Sequence, residues 1–183
     1  MMRGFAEYVA PSGGGYLVLA GPAVAAVTDD PEGAAVFGDC LLQWRDLPAA
    51  LRARVLLVTL PLDDPEENAA MVNALQRHAT VISQKSLAEG FGLTVAEGMW
   101  KARPVVGSAV GGIIDQIAAG TGVLLPDPRD LAAFGAAVRR LLDQPGEASQ
   151  IGRAAHSHIA QHYVGDLHLL RYAQLFGALI SDD

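Results

Sequence analysis

Five short runs of apolar residues, most of them rich in β-branched side chains and each set off from the next by a stretch with helical periodicity, constrain this chain more than any other feature. They are Tyr16-Leu17-Val18-Leu19-Ala20-Gly21, Val55-Leu56-Leu57-Val58-Thr59, Thr80-Val81-Ile82-Ser83-Gln84, Pro104-Val105-Val106-Gly107 and Gly122-Val123-Leu124-Leu125. Each is too short for a helix, which favours strands. None alternates polar with apolar residues, which predicts a sheet covered by helices on both faces. The helical stretches have readable ends. Asp29-Asp30-Pro31-Glu32 opens a helix that runs to about Leu47, and Asp64-Pro65-Glu66-Glu67 opens another with Met71, Val72, Leu75 and Ala79 on its apolar stripe. A shorter helix covers Thr94 to Ala102 and stops ahead of Pro104. Asp127-Pro128 starts a further one, with Leu131, Phe134, Val138, Leu141 and Leu142 facing inward. From about 145 to 180 the chain reads as two helices that break near Gly165. Strand alternating with helix predicts an α/β fold, Rossmann-like and doubly wound, with a largely parallel sheet.

The opening of the chain departs from that pattern. Arg3 to Val9 is helical, and no strand precedes it. Doubly wound folds begin with a central strand, so the expectation is a domain that lacks its first strand. Residues 1–183 otherwise read as one domain, since no repeat, low-complexity tract or linker interrupts them.

Composition excludes several classes of function. The net charge is −7, unsuited to holding nucleic acid by phosphate neutralisation. No apolar run approaches the roughly 18 residues of a spanning helix, and the amino terminus lacks the apolar core of a signal peptide. The expected location is cytoplasmic. The single cysteine, Cys40, excludes an internal disulfide and a multi-cysteine zinc site. The five histidines are not spaced with a carboxylate as a metal site; His158 and His162 share helical spacing, for which a solvated face is the simpler reading. There is no P-loop and no nucleophile elbow.

The densest chemistry lies in Gln84-Lys85-Ser86-Leu87-Ala88-Glu89-Gly90-Phe91-Gly92-Leu93-Thr94-Val95-Ala96-Glu97-Gly98-Met99-Trp100. This segment leaves a strand and enters a helix, the junction where open α/β sheets bind ligands. Gly90 and Gly92 let backbone N–H groups approach a ligand, and the free amides and positive dipole end of the helix suit phosphate. Thr94-x-x-Glu97 also reads as a capping box, with Glu97 in the first turn. Glu89 precedes the helix, and capping does not explain it. An ionised carboxylate there can accept hydrogen bonds from sugar hydroxyls. Lys85 and Lys101, the only lysines beside eleven arginines, flank the segment. Trp100 reads as helix packing, and Gly111-Gly112 as either a plain turn or part of the site.

Glu89 and Glu97, eight apart around Gly-Phe-Gly-Leu-Thr, resemble the paired glutamates of retaining glycosyltransferases with the two-domain GT-B fold. The likeness continues through Met99-Trp100-Lys101, Arg103-Pro104-Val105-Val106 and Val110-Gly111-Gly112-Ile113. Gln84-Lys85-Ser86, Asp29 to Gly33 and Asn73 to Arg77 resemble the trehalose-synthase branch. The resemblance implies the carboxy-terminal, nucleotide-sugar-binding half of such an enzyme, which uses a nucleoside-diphosphate sugar as substrate and no separate cofactor. Glu89 would then bind donor-sugar hydroxyls and Glu97 the ribose. Gly90, Phe91, Gly92, Leu93 and Thr94 would meet sugar and diphosphate, Leu60 would lie near the base, and Lys85 would stabilise charge. Departures from the family pattern are the absent basic clamp near the amino terminus, Gly98 where alanine is usual, and Asp115 in place of the glutamate after Gly-Gly.

Two functions follow as expectations. One is a glucosyl-transferring donor domain, inactive alone and in need of a missing acceptor-binding domain. The other is a non-catalytic binding or assembly module derived from such an enzyme. A missing central strand between Tyr16–Gly21 and Thr80–Gln84, together with apolar carboxy-terminal helices, predicts a homodimer or direct closure of those two strands.

Overall fold

The apolar runs are strands. In the computed structural model, which describes residues 1–22 and 31–181, β1 is Leu17–Pro22, β2 Val55–Leu60, β3 Ile82–Gln84, β4 Val105–Ser108 and β5 Val123–Leu125. The helices are α1 (Met2–Gly4), α2 (Pro31–Arg45), α3 (Ala49–Arg52), α4 (Pro65–His78), α5 (Leu93–Trp100), α6 (Ile113–Gln116), α7 (Leu131–Asp143), α8 (Pro145–His162) and α9 (Gly165–Ser181). Every strand pairing is parallel, as the patterning predicts. The strands form two sheets, one ordered β1-β2 and the other β3-β4-β5. Direct pairing of β1 with β3 does not occur among the described residues.

The chain divides into two compact units. The first is Met1–His78 with Asp130–Arg139. Its opening segment continues past Val9: α1 passes into a π-helical turn at Phe5–Val9 and a 3-10 turn at Ala10–Ser12. Met2, Phe5, Val9 and Ala10 are buried, so apolar packing holds this irregular helix. Gly4 lets Phe134 of α7 approach, since a Cβ there would lie 2.8 Å from the Phe134 Cδ1. Arg54 binds the following turn. Its guanidinium donates to the carbonyls of Gly15, Ala10 and Gly14 at 3.0, 3.2 and 2.6 Å and lies over the Phe5 ring. Trp44 of α2 donates its indole N–H to the Val55 carbonyl at 2.8 Å. Asp64 caps α4, its Oδ1 accepting from the amides of Glu66 and Glu67. The expected cap residues Asp29 and Asp30 lie outside the described residues. In α7 the cap is Asp130, whose Oδ1 accepts from the Ala133 amide at 2.8 Å. The helix therefore starts at Leu131 instead of the expected Asp127-Pro128.

The second unit is Ala79–Arg129 with the chain from Arg140 onward. Its core joins Ile82, Val95, Met99, Val105, Ile113, Ile117, Ala155 and Ile159. Gly98 brings α5 down onto β3 and β4, for a Cβ there would stand 2.8 Å from Ile82 Cδ1 and 3.2 Å from Val105 Cγ2. Close packing thus occupies the space that an alanine methyl would need, which accounts for glycine in a helix interior. Beyond the C-cap Lys101 the helix is closed by Ala102, which takes a left-handed φ of 54°, and the Arg103 amide donates back to the Gly98 carbonyl at 3.0 Å. α8 packs on this corner through Gly152, where a Cβ would overlap the Ala102 carbonyl oxygen. No helix among the described residues is long and apolar enough to cross a membrane.

Candidate donor-binding loop

β3 and β4 are parallel neighbours, so their carboxyl ends open on the same edge of the sheet. The loop after β3 carries Lys85, Glu89, Gly90 and Phe91. The loop after β4 carries Gly111 and Gly112. The two loops are in contact. The Gly112 amide donates to the Gly90 carbonyl at 2.9 Å. A Cβ on Gly111 would overlap the Glu89 carbonyl oxygen, and the Gly111 φ of 50° is itself in the left-handed region. From α6, the buried Gln116 donates its Nε2 to the Phe91 carbonyl at 2.5 Å. The Gly-Gly turn is therefore the support on which the glutamate loop rests, not a plain connection.

Glu89 is fixed in place. Its Oε2 accepts from Ser86 Oγ at 3.1 Å and from Gln84 Nε2 at 3.2 Å, and the Gln84 amide also donates to Ser86 Oγ at 3.0 Å. A carboxylate held by two donors through one oxygen keeps its remaining acceptor capacity for hydroxyls. Lys85, half-buried beside it, has no hydrogen bond or ion pair among the described residues. Phe91 and Leu93 are exposed and Thr94 is half-buried.

The helix start differs from expectation. Its N-cap is Gly92, with φ 86° and no side-chain cap. The Gly92 carbonyl accepts from the Val95 amide at 2.9 Å. Thr94 is the second helical residue and Glu97 the fifth, so no capping box forms and Glu97 lies beyond the first turn. The reason is steric. Gly92, having no Cβ, can take the left-handed turn while pressed against Ile113, whose Cγ1 would lie 2.8 Å from a Cβ. Without a side-chain cap, the first two amides of α5, those of Leu93 and Thr94, have no intrahelical acceptor. Glu97 is half-buried on the helix and engaged with a neighbour.

Lys85, Glu89 to Thr94 and Glu97 thus come together along one loop and the helix it enters. Leu60 does not belong to that unit: it ends β2 in the first unit, with its side chain buried. Trp100 packs on α8, its ring 4.9 Å from that of His156, as the packing reading expects. Sequence reasoning missed the anchoring roles of Gln84, Ser86 and Gln116. The polar pair Asp115-Gln116 inside the mostly apolar Gly111–Ile117 stretch was the available signal for Gln116. Sequence reasoning also missed Tyr163, whose hydroxyl donates to the Asp115 carbonyl at 2.7 Å and whose ring lies 6.3 Å from Phe91. Burial, then the nearby Asp115, hold the Tyr163 hydroxyl above its usual pKa, against the pull of Arg171. Among the described residues no group of three His, Cys, Asp or Glu could hold a metal.

Comparison with known proteins agrees with this architecture. The chain is 37% identical over 152 residues to the trehalose synthase of Pyrococcus horikoshii, an alignment covering 82% of this chain and 34% of that enzyme. It superposes on the sucrose-phosphate synthase of Thermosynechococcus elongatus with a TM-score of 0.73 and 27% identity, covering 100% of this chain and 43% of the other. The Anabaena HepE protein, solved in complex with UDP, has the same fold, with a TM-score of 0.73, 16% identity and coverage of 97% and 44%. The chain spans 26% to 34% of the length of the trehalose synthases it matches. The family of group 1 glycosyl transferases matches residues 63–158, which contain the whole loop, both of its glutamates and the Gly-Gly support. On that match and on the parallel α/β fold, this chain belongs to the group 1 glycosyl transferases.

Proposed function

We propose that residues 1–183 form a nucleotide-sugar-binding domain of a retaining, trehalose-synthase-like glycosyltransferase, which transfers glucose from a nucleoside-diphosphate donor to a sugar acceptor. One observation carries this reading: Glu89 is held by Ser86 and Gln84 directly ahead of a helix that starts at a glycine, with uncapped amides. A pinned carboxylate beside free N–H groups matches a ligand with hydroxyls at one end and phosphates at the other. HepE, a relative in fold, was solved with UDP.

In this reading the glycosyl C1–oxygen bond breaks with its electron pair leaving on the diphosphate. The uncapped amides of α5 and the Lys85 ammonium receive that charge. The acceptor hydroxyl bonds to C1 from the same face and passes its proton to the departing phosphate oxygen, so configuration is retained without a protein nucleophile. Glu89 orients the donor sugar through its hydroxyls, and Glu97 takes the ribose hydroxyls. Exposed apolar residues of α9, including Leu169, Phe176 and Ile180, support a homodimer, which sedimentation at micromolar concentration tests; a monomer overturns that part.

Calorimetry with UDP-glucose, UDP and the other nucleoside diphosphates tests the core reading. Each carboxylate–hydroxyl bond is worth about 1.5–3 kcal/mol, roughly a tenfold to hundredfold change in affinity. Glu97→Gln should weaken UDP and UDP-glucose alike, whereas Glu89→Gln should weaken only the sugar nucleotide. Equal binding by wild type and both variants overturns the assignment. Binding with these losses but no trehalose formed, even with an acceptor-binding partner supplied, favours the non-catalytic module.

A further inference from the structure

In the second unit, a cavity of about 690 Å³ lies beside the glutamate loop, and nothing in the proposed transfer reaction uses it. Phe91 forms one wall. The others come from His158 and His162 of α8, from Tyr163, and from His168 and Arg171 of α9. The rings are closely set: His158 lies 4.7 Å from His162 and 5.9 Å from Tyr163. A solvated face of α8 would account for His158 and His162, but not for His168 and Arg171 of the next helix opening on the same space. The buried Nε2 of His158 has no hydrogen-bond partner. Burial and the facing His162 hold the His158 imidazole below its usual pKa, so an arriving negative charge would be matched by proton uptake. The opposing charge nearby is Asp115, against Tyr163. The remaining wall residues, Val164 and Gly165, carry no charge.

We propose that this cavity binds a small phosphomonoester, its phosphate on Arg171 and the imidazoles of His162 and His168, its organic body against Phe91 and Tyr163. A phosphate dianion offers three strong acceptor oxygens, enough for a guanidinium and two imidazolium donors together. A carboxylate offers two. The aromatic walls suit a body with an apolar or ring face. The chain's net charge of −7 makes a polyanion such as nucleic acid a poor occupant. This site is independent of the nucleotide-sugar reading, although Phe91 borders both.

The test uses the full chain, with phenyl phosphate as the probe and calorimetry together with NMR of the histidine ring signals as readouts. An imidazole gains a second N–H donor and a positive charge when it takes up a proton, so binding should tighten as the pH falls from about 8 to about 6, by about tenfold. Protonation of half the phosphate at the lower pH takes back only about twofold. Arg171→Gln with His168→Gln, both at exposed positions, should weaken binding about tenfold or more, with unchanged circular dichroism. Binding should survive saturating UDP and the Glu97→Gln substitution. Equal affinity at both pH values, no loss in the double variant, or equal binding of benzoate overturns the proposal. So does displacement by UDP, which would place the phosphate on the glutamate loop. A failure here leaves the Glu89 and Glu97 result standing, and the reverse also holds.

Discussion

Strands β4 and β1 are both short and mostly apolar, yet they come to rest in opposite surroundings. β4 has a parallel neighbour on each side, and all four of its residues are buried. Among the described residues β1 has only β2 beside it, and along it half-buried positions alternate with exposed ones. Val18 and Leu56 of that two-stranded sheet are 41% and 46% exposed, whereas Val105 and Val106 of β4 are fully enclosed. The expectation that helices cover both faces of every strand therefore holds for β4 and not for β1. An unalternating apolar run reports that a strand forms. What covers it depends on the pieces that pack there, and in the second unit α5 and α6 press Val95, Met99 and Ile113, all at zero exposure, against Ile82 and Val105 of the sheet that bears the glutamate loop. The unit that holds the glutamate loop is the one with least room for change.

The sharpest test of that contrast is truncation of one core side chain in each unit. Met99→Ala removes a fully buried side chain from the helix behind the loop and should cost about 2–5 kcal/mol. Leu56→Ala removes one already half in water and should cost about 1 kcal/mol or less. Urea unfolding measures both. Trp44 stands in the first unit and Trp100 in the second, so single-tryptophan variants read each unit separately. Equal losses would show that the two sheets are equally enclosed in solution and would break the comparison.

Glycine gives the second test. Gly152→Ala places a methyl against the backbone oxygen of Ala102. A backbone atom cannot rotate away, so α8 must move off α5, at an expected cost of about 3 kcal/mol. The expected readout is a lower urea midpoint reported by Trp100. An unchanged midpoint would mean that the corner between α5 and α8 is looser than its geometry.

How much of this was legible beforehand follows from the range of the forces involved. Strand positions were legible to within a residue or two, because apolar runs and Asp-Pro helix starts are local. Asp64 caps α4 as its sequence suggests. The short helices α3 and α6 were not legible, since four residues cannot show a period of 3.6. The glutamates stood out by their place at a strand-to-helix junction and by the resemblance of their spacing to a known family. Their supports did not: Gly112 meets Gly90 and Gln116 meets Phe91 only after β3 and β4 pair. The start of α5 at Gly92 instead of Thr94 is the same kind of miss. Contact with Ile113, about twenty residues on, outweighed a local capping pattern.

A gain should accompany these losses in the more open unit. Gly38 lies inside α2, and nothing among the described residues stands within 4 Å of where a Cβ would be. Gly38→Ala should therefore stabilise the first unit by up to about 1 kcal/mol, through reduced backbone freedom of the unfolded chain and better helix propensity. The measurement is the Trp44 transition in urea. A loss of stability would show that α2 packs more tightly around Gly38 than its open surroundings indicate.

The smallest effect is a pH dependence confined to the second unit. Burial, and after it the charge of His162, lower the His158 pKa from its usual 6.5. In the folded chain His158 therefore takes up its proton at lower pH than in the unfolded chain. Above about pH 6.5 both states leave it neutral, and its contribution to stability is fully present. As the pH falls below that value the unfolded chain binds the proton first, so stability declines until the folded pKa is passed, and then levels. His158→Gln should flatten this slope in the Trp100 transition while leaving the Trp44 transition as it was. Phenyl phosphate in the cavity should flatten it as well, because an anion beside the imidazole raises its folded pKa back toward 6.5. A slope that survives in His158→Gln would assign the acid sensitivity to another group in that unit and would remove His158 as the proton-coupled wall of the cavity.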